Sequence, residues 1–396
     1  LSSPVSGQAI SPQFSNPTGN VTDDFYKFDE GTYTWINSRS TGNVYNPSFE
    51  NNFVVGRGYL AAYLADATKT FSGIMNSGSQ FININRTYAD LLTSGWNLVG
   101  NPYPSNIDWD AATGWTKTNS NNAIYVAKSG GWATYVDGVG TNGGSRYISV
   151  GQGFFVSAIN LGAGSLAMTN NVRVHNSATF FKNAKSQNLV RVEVSGNGYT
   201  DETVVRFVPG ATVGFDGHYD AMKMFNFNEN STQIYTNSNM PLTINSLNTE
   251  TNKVDLGVRG RVAGKYSLKV TELNNIDFVT LHDKKTGFYS NLKAKPYTYY
   301  FEPGENEIRF ELLFKPISET ETENPVASIY SYGKTIGVAI KDLEVGDIYI
   351  YNVAGQLVAS EYKVSGTTEF SITVAGIYLV KVMADKDLVF KKVWVK

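Results

Sequence analysis

Gly376-Ile-Tyr-Leu-Val-Lys-Val382 and Leu388-Val-Phe-Lys-Lys-Val-Trp-Val-Lys396 close the chain. Both read as β-strands. So does Gly346-Asp-Ile-Tyr-Ile-Tyr351, whose Ile348 and Ile350 fall on one side and Tyr349 and Tyr351 on the other, the period of a half-buried strand. Between them Asn352-Val-Ala-Gly355-Gln-Leu-Val358 supplies a turn, with Gly355 suited to positive φ. Chain ends normally fray, yet here an apolar strand runs to the last residue. The spacing therefore predicts a compact β-module over 327–396 whose terminal strand is held by sheet pairing.

The same signature extends toward the N-terminus. Aromatics make up 13% of the chain, and its 37 glycines stand with many Asn, Ser and Thr between short alternating runs, a composition of strands and turns. Helical periodicity is not sustained, and Thr87-Tyr-Ala-Asp-Leu-Leu-Thr93 is too short for more than a helical turn or two. The expected class is all-β: tandem antiparallel sandwich or jelly-roll-like domains ending in an Ig-like domain of seven strands. A chain of 396 residues exceeds one typical domain.

Residues 1–176 read as one unit written twice, over about 1–90 and 95–175. Leu1-Ser-Ser-Pro4 corresponds to Leu98-Val-Gly-Asn-Pro102, Phe25-Tyr-Lys-Phe28 to Ile124-Tyr-Val-Ala127, and Gly56-Arg-Gly-Tyr-Leu60 to Gly151-Gln-Gly-Phe-Phe155. The pattern fits paired small domains or a single pseudo-symmetric sandwich. Residues 177–316 read as a further antiparallel sandwich, in which Asn197-Gly198 marks a hairpin that pairs Val190 to Val194 with Val204 to Val208. Residues 317–326, beginning Ile317-Ser-Glu-Thr-Glu-Thr-Glu, form an acidic linker that lacks the apolar residues needed to offset the entropy of ordering.

Composition also excludes function classes. With no cysteine, disulfides, thiolate metal sites and thiol nucleophiles are absent. A net charge of −2 without a run of Lys and Arg argues against nucleic acid as a partner. No apolar stretch is long enough for a membrane-spanning helix. The chain begins without methionine or a signal-peptide pattern, so it is read as a mature or partial product.

At the carboxyl end a resemblance emerges. Tyr351, Gly355 and Val358 in Tyr-x-x-x-Gly-x-x-Val, the Gly376 to Val382 run, and Lys391-Lys-Val-Trp-Val395 together resemble the type A C-terminal sorting domain of cargo exported by the type IX secretion system. The Pro-Asn-Pro-like opening of that family is only partly kept, as Glu323-Asn324-Pro325. Two more stretches, 95–109 and 280–314, are similar to segments that precede sorting domains in such proteins. The resemblance implies passage through the periplasm and outer membrane to the cell surface or beyond. It further implies docking to an outer-membrane β-barrel shuttle and the translocon, and removal of the domain by a sorting-domain protease. Recognition is then expected at Tyr351, Gly355, Gly376, Tyr378, Lys381, Lys391, Lys392 and Val393, with glycines setting turns, aromatics in the core, and the terminal strand and its lysines offered to the shuttle.

Chemistry-bearing patterns elsewhere are sparse. His175, His218 and His282 are far apart, and neither a Gly-x-Ser-x-Gly elbow nor a His-Glu-x-x-His helix is present, so no enzymatic activity is expected. Gly138-Val-Gly-Thr-Asn-Gly143 has the spacing of a dinucleotide loop but is followed by a strand pattern. Gly333-Lys334-Thr335 ends like a phosphate loop, with Ser328 where the first glycine belongs. Trp35, Trp109, Trp115 and Trp132 offer faces for sugar rings, the basis of an alternative reading as a surface adhesin or glycan-binding module. Asp108 with Asp110 and Asp216 with Asp220 are candidate Ca²⁺ oxygens, although no cofactor is required. A third reading, an accessory region of a secreted hydrolase, places catalysis in a domain outside this sequence.

Overall fold

The alternating runs fold as strands nearly everywhere in the computed structural model, which describes residues 1–18, 24–175, 188–316, 326–340, 344–384 and 387–396. Among the described residues the one helical element is a single 3₁₀ turn, Asn170–Val172. Residues 87–93 are a turn in which the Asp90 carboxylate accepts from the Leu92 amide and the Thr93 hydroxyl, so local side-chain bonding replaces helix there. The chain packs as two compact units, Leu1–Lys185 with Phe215–Met224, and Ser186–Gly214 with Phe225–Lys396. The 317–326 linker lies almost wholly outside the described residues.

In the first unit one strand order occurs twice. Asp24–Asp29 lies between Thr34–Asn37 and Leu60–Ala62; Ile124–Lys128 lies between Gly131–Val136 and Gly153–Ser157. Every pairing is antiparallel. The copies interlock rather than standing apart. The Ser2 hydroxyl donates to the Asn101 and Gln152 carbonyls, and the Gly58 amide donates to the Leu98 carbonyl at 3.1 Å. Such close backbone approach leaves no room for a side chain. A Cβ on Gly58 would sit 2.4 Å from the Val99 carbonyl oxygen, and one on Gly100 would sit 2.2 Å from the Ser2 Cβ.

The second unit carries two separate hydrophobic cores. The first lies within 188–314 and centres on Val190, Val192, Ile234, Leu256, Tyr299 and Leu312. Asn197 and Gly198 both take positive φ, 50° and 76°, and the hairpin they make pairs Val190 with Val205 and Arg191 with Val204. The expectation of a purely antiparallel sheet needs one correction. Tyr199–Phe207 runs parallel to Pro241–Leu247, because a long excursion separates the two strands and returns the chain in the same direction. At the rim of this core Arg309 meets the fully buried Asp283 at 2.5 Å, and the Tyr297 hydroxyl donates to the same carboxylate at 2.8 Å. Burial would raise the Asp283 carboxyl, but these partners outweigh it and hold it below the usual carboxylate range. The second core belongs to residues 326–395 alone.

The interlock in the first unit is testable through one atom. Gly58→Ala is expected to cost about 2 kcal/mol, read as a fall of roughly 4–8 °C in the unfolding temperature of that unit; an unchanged transition would contradict the close packing of the two copies.

Candidate functional site

Seven strands build the carboxyl-terminal sandwich. Thr335–Ile340 is flanked by Ala327–Tyr332 and Thr367–Ser371 in one sheet; the other has the order Leu357–Val364, Gly346–Asn352, Gly376–Ala384, Asp387–Val395. All pairs are antiparallel. The fourth strand pairs with the third, whereas a constant-type immunoglobulin domain groups its fourth strand with the first, second and fifth. Ile329, Ile336, Val338, Ile348, Ile350, Val380, Val382 and Val395 fill the space between the sheets.

The terminal strand is held on both sides. Nine residue pairs join it to Gly376–Ala384, from Gly376↔Val395 to Ala384↔Asp387. On its other edge the Ser331 hydroxyl donates to the Trp394 carbonyl at 2.8 Å and the Lys396 amide donates to the Gly333 carbonyl at 2.9 Å. Val393 and Val395 enter the core, and burying each contributes about 1.5–3 kcal/mol, enough to oppose fraying at the chain end.

The residues singled out from sequence occupy distinct roles. Gly355 takes φ +77° in a turn that Asn352 organises, its side-chain oxygen accepting from the Ala354 and Gln356 amides at 3.0 Å. Gly376 begins the sixth strand opposite Val395, and Tyr351 is half-buried beside Leu379. Tyr378 is buried, and its hydroxyl donates to the Val374 carbonyl at 2.7 Å, four residues upstream. That is a tyrosine corner, which pins the entry of a strand to the preceding connection. Val393 is a core residue, so it offers no side chain to a partner, because the strand's alternation turns it inward.

The three lysines divide between two faces. Lys381 lies across from Tyr349 and Phe390, with its ammonium 5.7 and 5.9 Å from their ring centres, and Lys392 lies across from Leu379 on the same outer face. Lys391 has the opposite parity, across from Val380. Its ammonium is drawn below the ordinary lysine value, by desolvation first and then by Lys285 and Arg309 of the preceding sandwich, with Asp283 opposing. Lys391 is exposed and, by its parity, does not share the outer face of Lys381 and Lys392.

A second tyrosine corner escaped the sequence reading. The Tyr266 hydroxyl donates to the Val262 carbonyl at 2.9 Å, again four residues back. The two stretches, Val262-Ala-Gly-Lys-Tyr-Ser-Leu-Lys-Val270 and Val374-Ala-Gly-Ile-Tyr-Leu-Val-Lys-Val382, agree at six of nine positions, a signal visible in the sequence to anyone aligning the chain with itself.

Candidates elsewhere are occupied by structure. Trp109 and Trp132 are buried and so present no sugar-binding face, a correction with a packing cause: Trp109 lies edge-on to Trp115 and Phe154, and Trp132 against Phe155. The Lys117 ammonium covers the Trp109 ring at 3.5 Å, and burial pushes its pKa down to about 8 against the pull of Asp110 and Asp108. Trp35 is half-buried against Phe28 and Phe155, and Trp115 is half-buried too, so the four indoles form no exposed row. Asp108 is clamped by Arg146 through two bonds of 2.6 and 2.7 Å, while Asp110 accepts from the Tyr135 hydroxyl. Asp216 and Asp220 accept backbone amides of their own loop, from His218 and Asp216. Among the described residues no cluster of metal-ligating side chains occurs. His282 stacks on Tyr289 at 4.2 Å and His218 packs beside Tyr219. Residues 138–143 form part of a hairpin, and Gly333 sits in the two-residue turn between the first two strands of the terminal sandwich.

Residues 1–314 match the family described as a domain of unknown function (DUF8693), and residues 324–396 match the secretion system C-terminal sorting domain. No curated protein matches the chain.

Removing one oxygen tests the corner. Tyr378→Phe is expected to lower the stability of the terminal sandwich by about 1 kcal/mol with an unchanged denaturant slope; a chemical-denaturation midpoint equal to that of the parent would contradict the role given to the hydroxyl.

Proposed function

Because the chain belongs to the DUF8693 family and is type IX secretion cargo bound for the cell surface or extracellular space, we propose that its terminal sandwich is docked by the outer-membrane β-barrel shuttle and then by the translocon. The observation that carries this reading is the separate core of residues 326–395, with its last strand locked in register. A partner can then recognise a preformed surface without bearing the entropy of ordering it. A sorting-domain protease then cuts within the acidic segment 317–326, releasing the domain from the delivered body.

The delivered body acts at the surface by binding rather than by catalysis, with adhesion the role that suits it best. Support comes from side chains that are already committed: Asp108 holds Arg146, Asp110 accepts from Tyr135, Asp216 and Asp220 hold loop amides, and two of the three histidines, His218 and His282, pack against tyrosines. A glycan remains a candidate adhesive ligand, to be met by loops rather than by the buried Trp109 and Trp132. No cofactor is invoked, and nucleic acid is not a proposed partner, given the net charge of −2.

Deleting residues 327–396 and fractionating cells tests the export role. The truncated chain is expected to disappear from the surface and medium and accumulate in the periplasm; arrival at the surface in undiminished amount would overturn the proposal.

A further inference from the structure

In an antiparallel sandwich one face of each sheet lines the core and the other meets water, so strands ordinarily read apolar inside and polar outside. The sixth and seventh strands of the terminal sandwich break this rule. Their inward residues, Tyr378, Val380, Val382, Val393 and Val395, are buried as expected. Six of their eight outward residues are apolar too: Ile377, Leu379, Met383, Leu388, Phe390 and Trp394 are each between 40% and 65% exposed. Register places them as neighbours, since Ile377 faces Trp394 and Met383 faces Leu388 across the ladder. A contiguous patch of this kind on a folded surface marks a binding site.

The opposite sheet is different. Its exposed positions on the fifth strand are Thr367, Glu369 and Ser371, and it meets the preceding sandwich through the Glu369–Lys265 ion pair at 2.9 Å and the Tyr332–Tyr300 stack at 4.3 Å. The sandwich therefore spends one outer face on its own cargo and leaves the other, apolar one open.

Two cations sit within the open face. Lys381 lies between Tyr349 and Phe390, and Lys392 lies beside Leu379; among the described residues neither ion-pairs with a carboxylate. We propose that this outer face of the four-stranded sheet is the docking surface for the secretion machinery, and that it fits a protein partner with an apolar patch flanked by carboxylates opposite Lys381 and Lys392. The inference rests on the export role proposed above and deepens it. Charge selects the occupant. The face carries Lys381 and Lys392 against one carboxylate, Asp347, which lies across from Met383 and already accepts the Lys363 amide, so a two-fold pairing of copies would leave its lysines in excess, which disfavours a second copy of the chain. Desolvated aromatics at the centre supply affinity, and the two lysines supply orientation.

The test uses the full-length chain in an export-competent host. The variants are Phe390→Glu with Trp394→Glu, Lys381→Glu with Lys392→Glu, and Thr367→Glu on the polar sheet as the control. All these positions are partly or wholly exposed, so unfolding temperatures within about 2 °C of the parent are expected. Each double variant should lower the amount of chain at the surface at least about tenfold, with accumulation in the periplasm, while Thr367→Glu is exported normally. Normal export of the apolar double variant, in cells where deletion of 327–396 blocks export, would overturn the face while leaving the export role intact; failure of the deletion to block export would overturn the role itself. Normal export of the lysine variant would overturn the carboxylate-bearing partner. Purified chain should neither co-float with phosphatidylglycerol vesicles nor dimerise by light scattering. Trp394-dependent vesicle binding would reassign the face to a lipid surface, and a Phe390-dependent dimer would reassign it to a second copy.

Discussion

The antiparallel ladder between Gly376–Ala384 and Asp387–Val395 is the interaction on which the carboxyl-terminal sandwich depends. Without it the last nine strand residues are an apolar tail. With it, Val393 and Val395 complete the core and Trp394 and Phe390 are presented outward. A single register decides both, because the side-chain period of a strand is two and a slip of one residue would exchange the faces. The tyrosine corner at Tyr378 fixes where the sixth strand begins and therefore fixes that register from the other end.

This ladder carries more apolar surface than its stability needs. A soluble sheet normally keeps one face polar, and local rules are broken where a protein has another task. The apolar outer face of 376–395 is such a violation, and the lysines within it keep the patch from being a plain aggregation edge. The preceding sandwich obeys the rule and uses the same corner motif, Val262 to Val270, so the motif itself is a folding device. What sets the terminal copy apart is the alternation after the tyrosine: Leu379, Lys381 and Met383 face outward there, where Ser267, Lys269 and Thr271 follow Tyr266.

Much of this was legible in the residues. The alternation in 346–351, the Asn197-Gly198 hairpin and the turn at Gly355 all formed as their local chemistry dictates, since each is set within a few residues. The duplication was readable as spaced motifs, but how the copies interlock was not, because it depends on backbone approaches such as Gly58 to Val99, more than forty residues apart along the chain and dictated only by tertiary packing. The parallel pairing of 199–207 with 241–247 escaped for the same reason. For the site, family pattern mixed residues of different duty. Gly355 and Tyr378 shape the fold, Val393 fills the core, Lys391 takes the opposite parity, and Lys381 and Lys392 share the open face. Their separation required knowing which way each strand residue points. Trp109 and Trp132 were likewise ambiguous until burial placed them inside.

The central claim is that residues 324–396 contain a self-sufficient, surface-read export element. The most direct measurement grafts this segment behind an unrelated monomeric fluorescent protein carrying a periplasmic leader, and compares cell-surface and medium fluorescence with the unfused reporter in a type IX-competent host. The account predicts that the graft moves the reporter out of the periplasm; retention there, with the grafted sandwich folded, would contradict it.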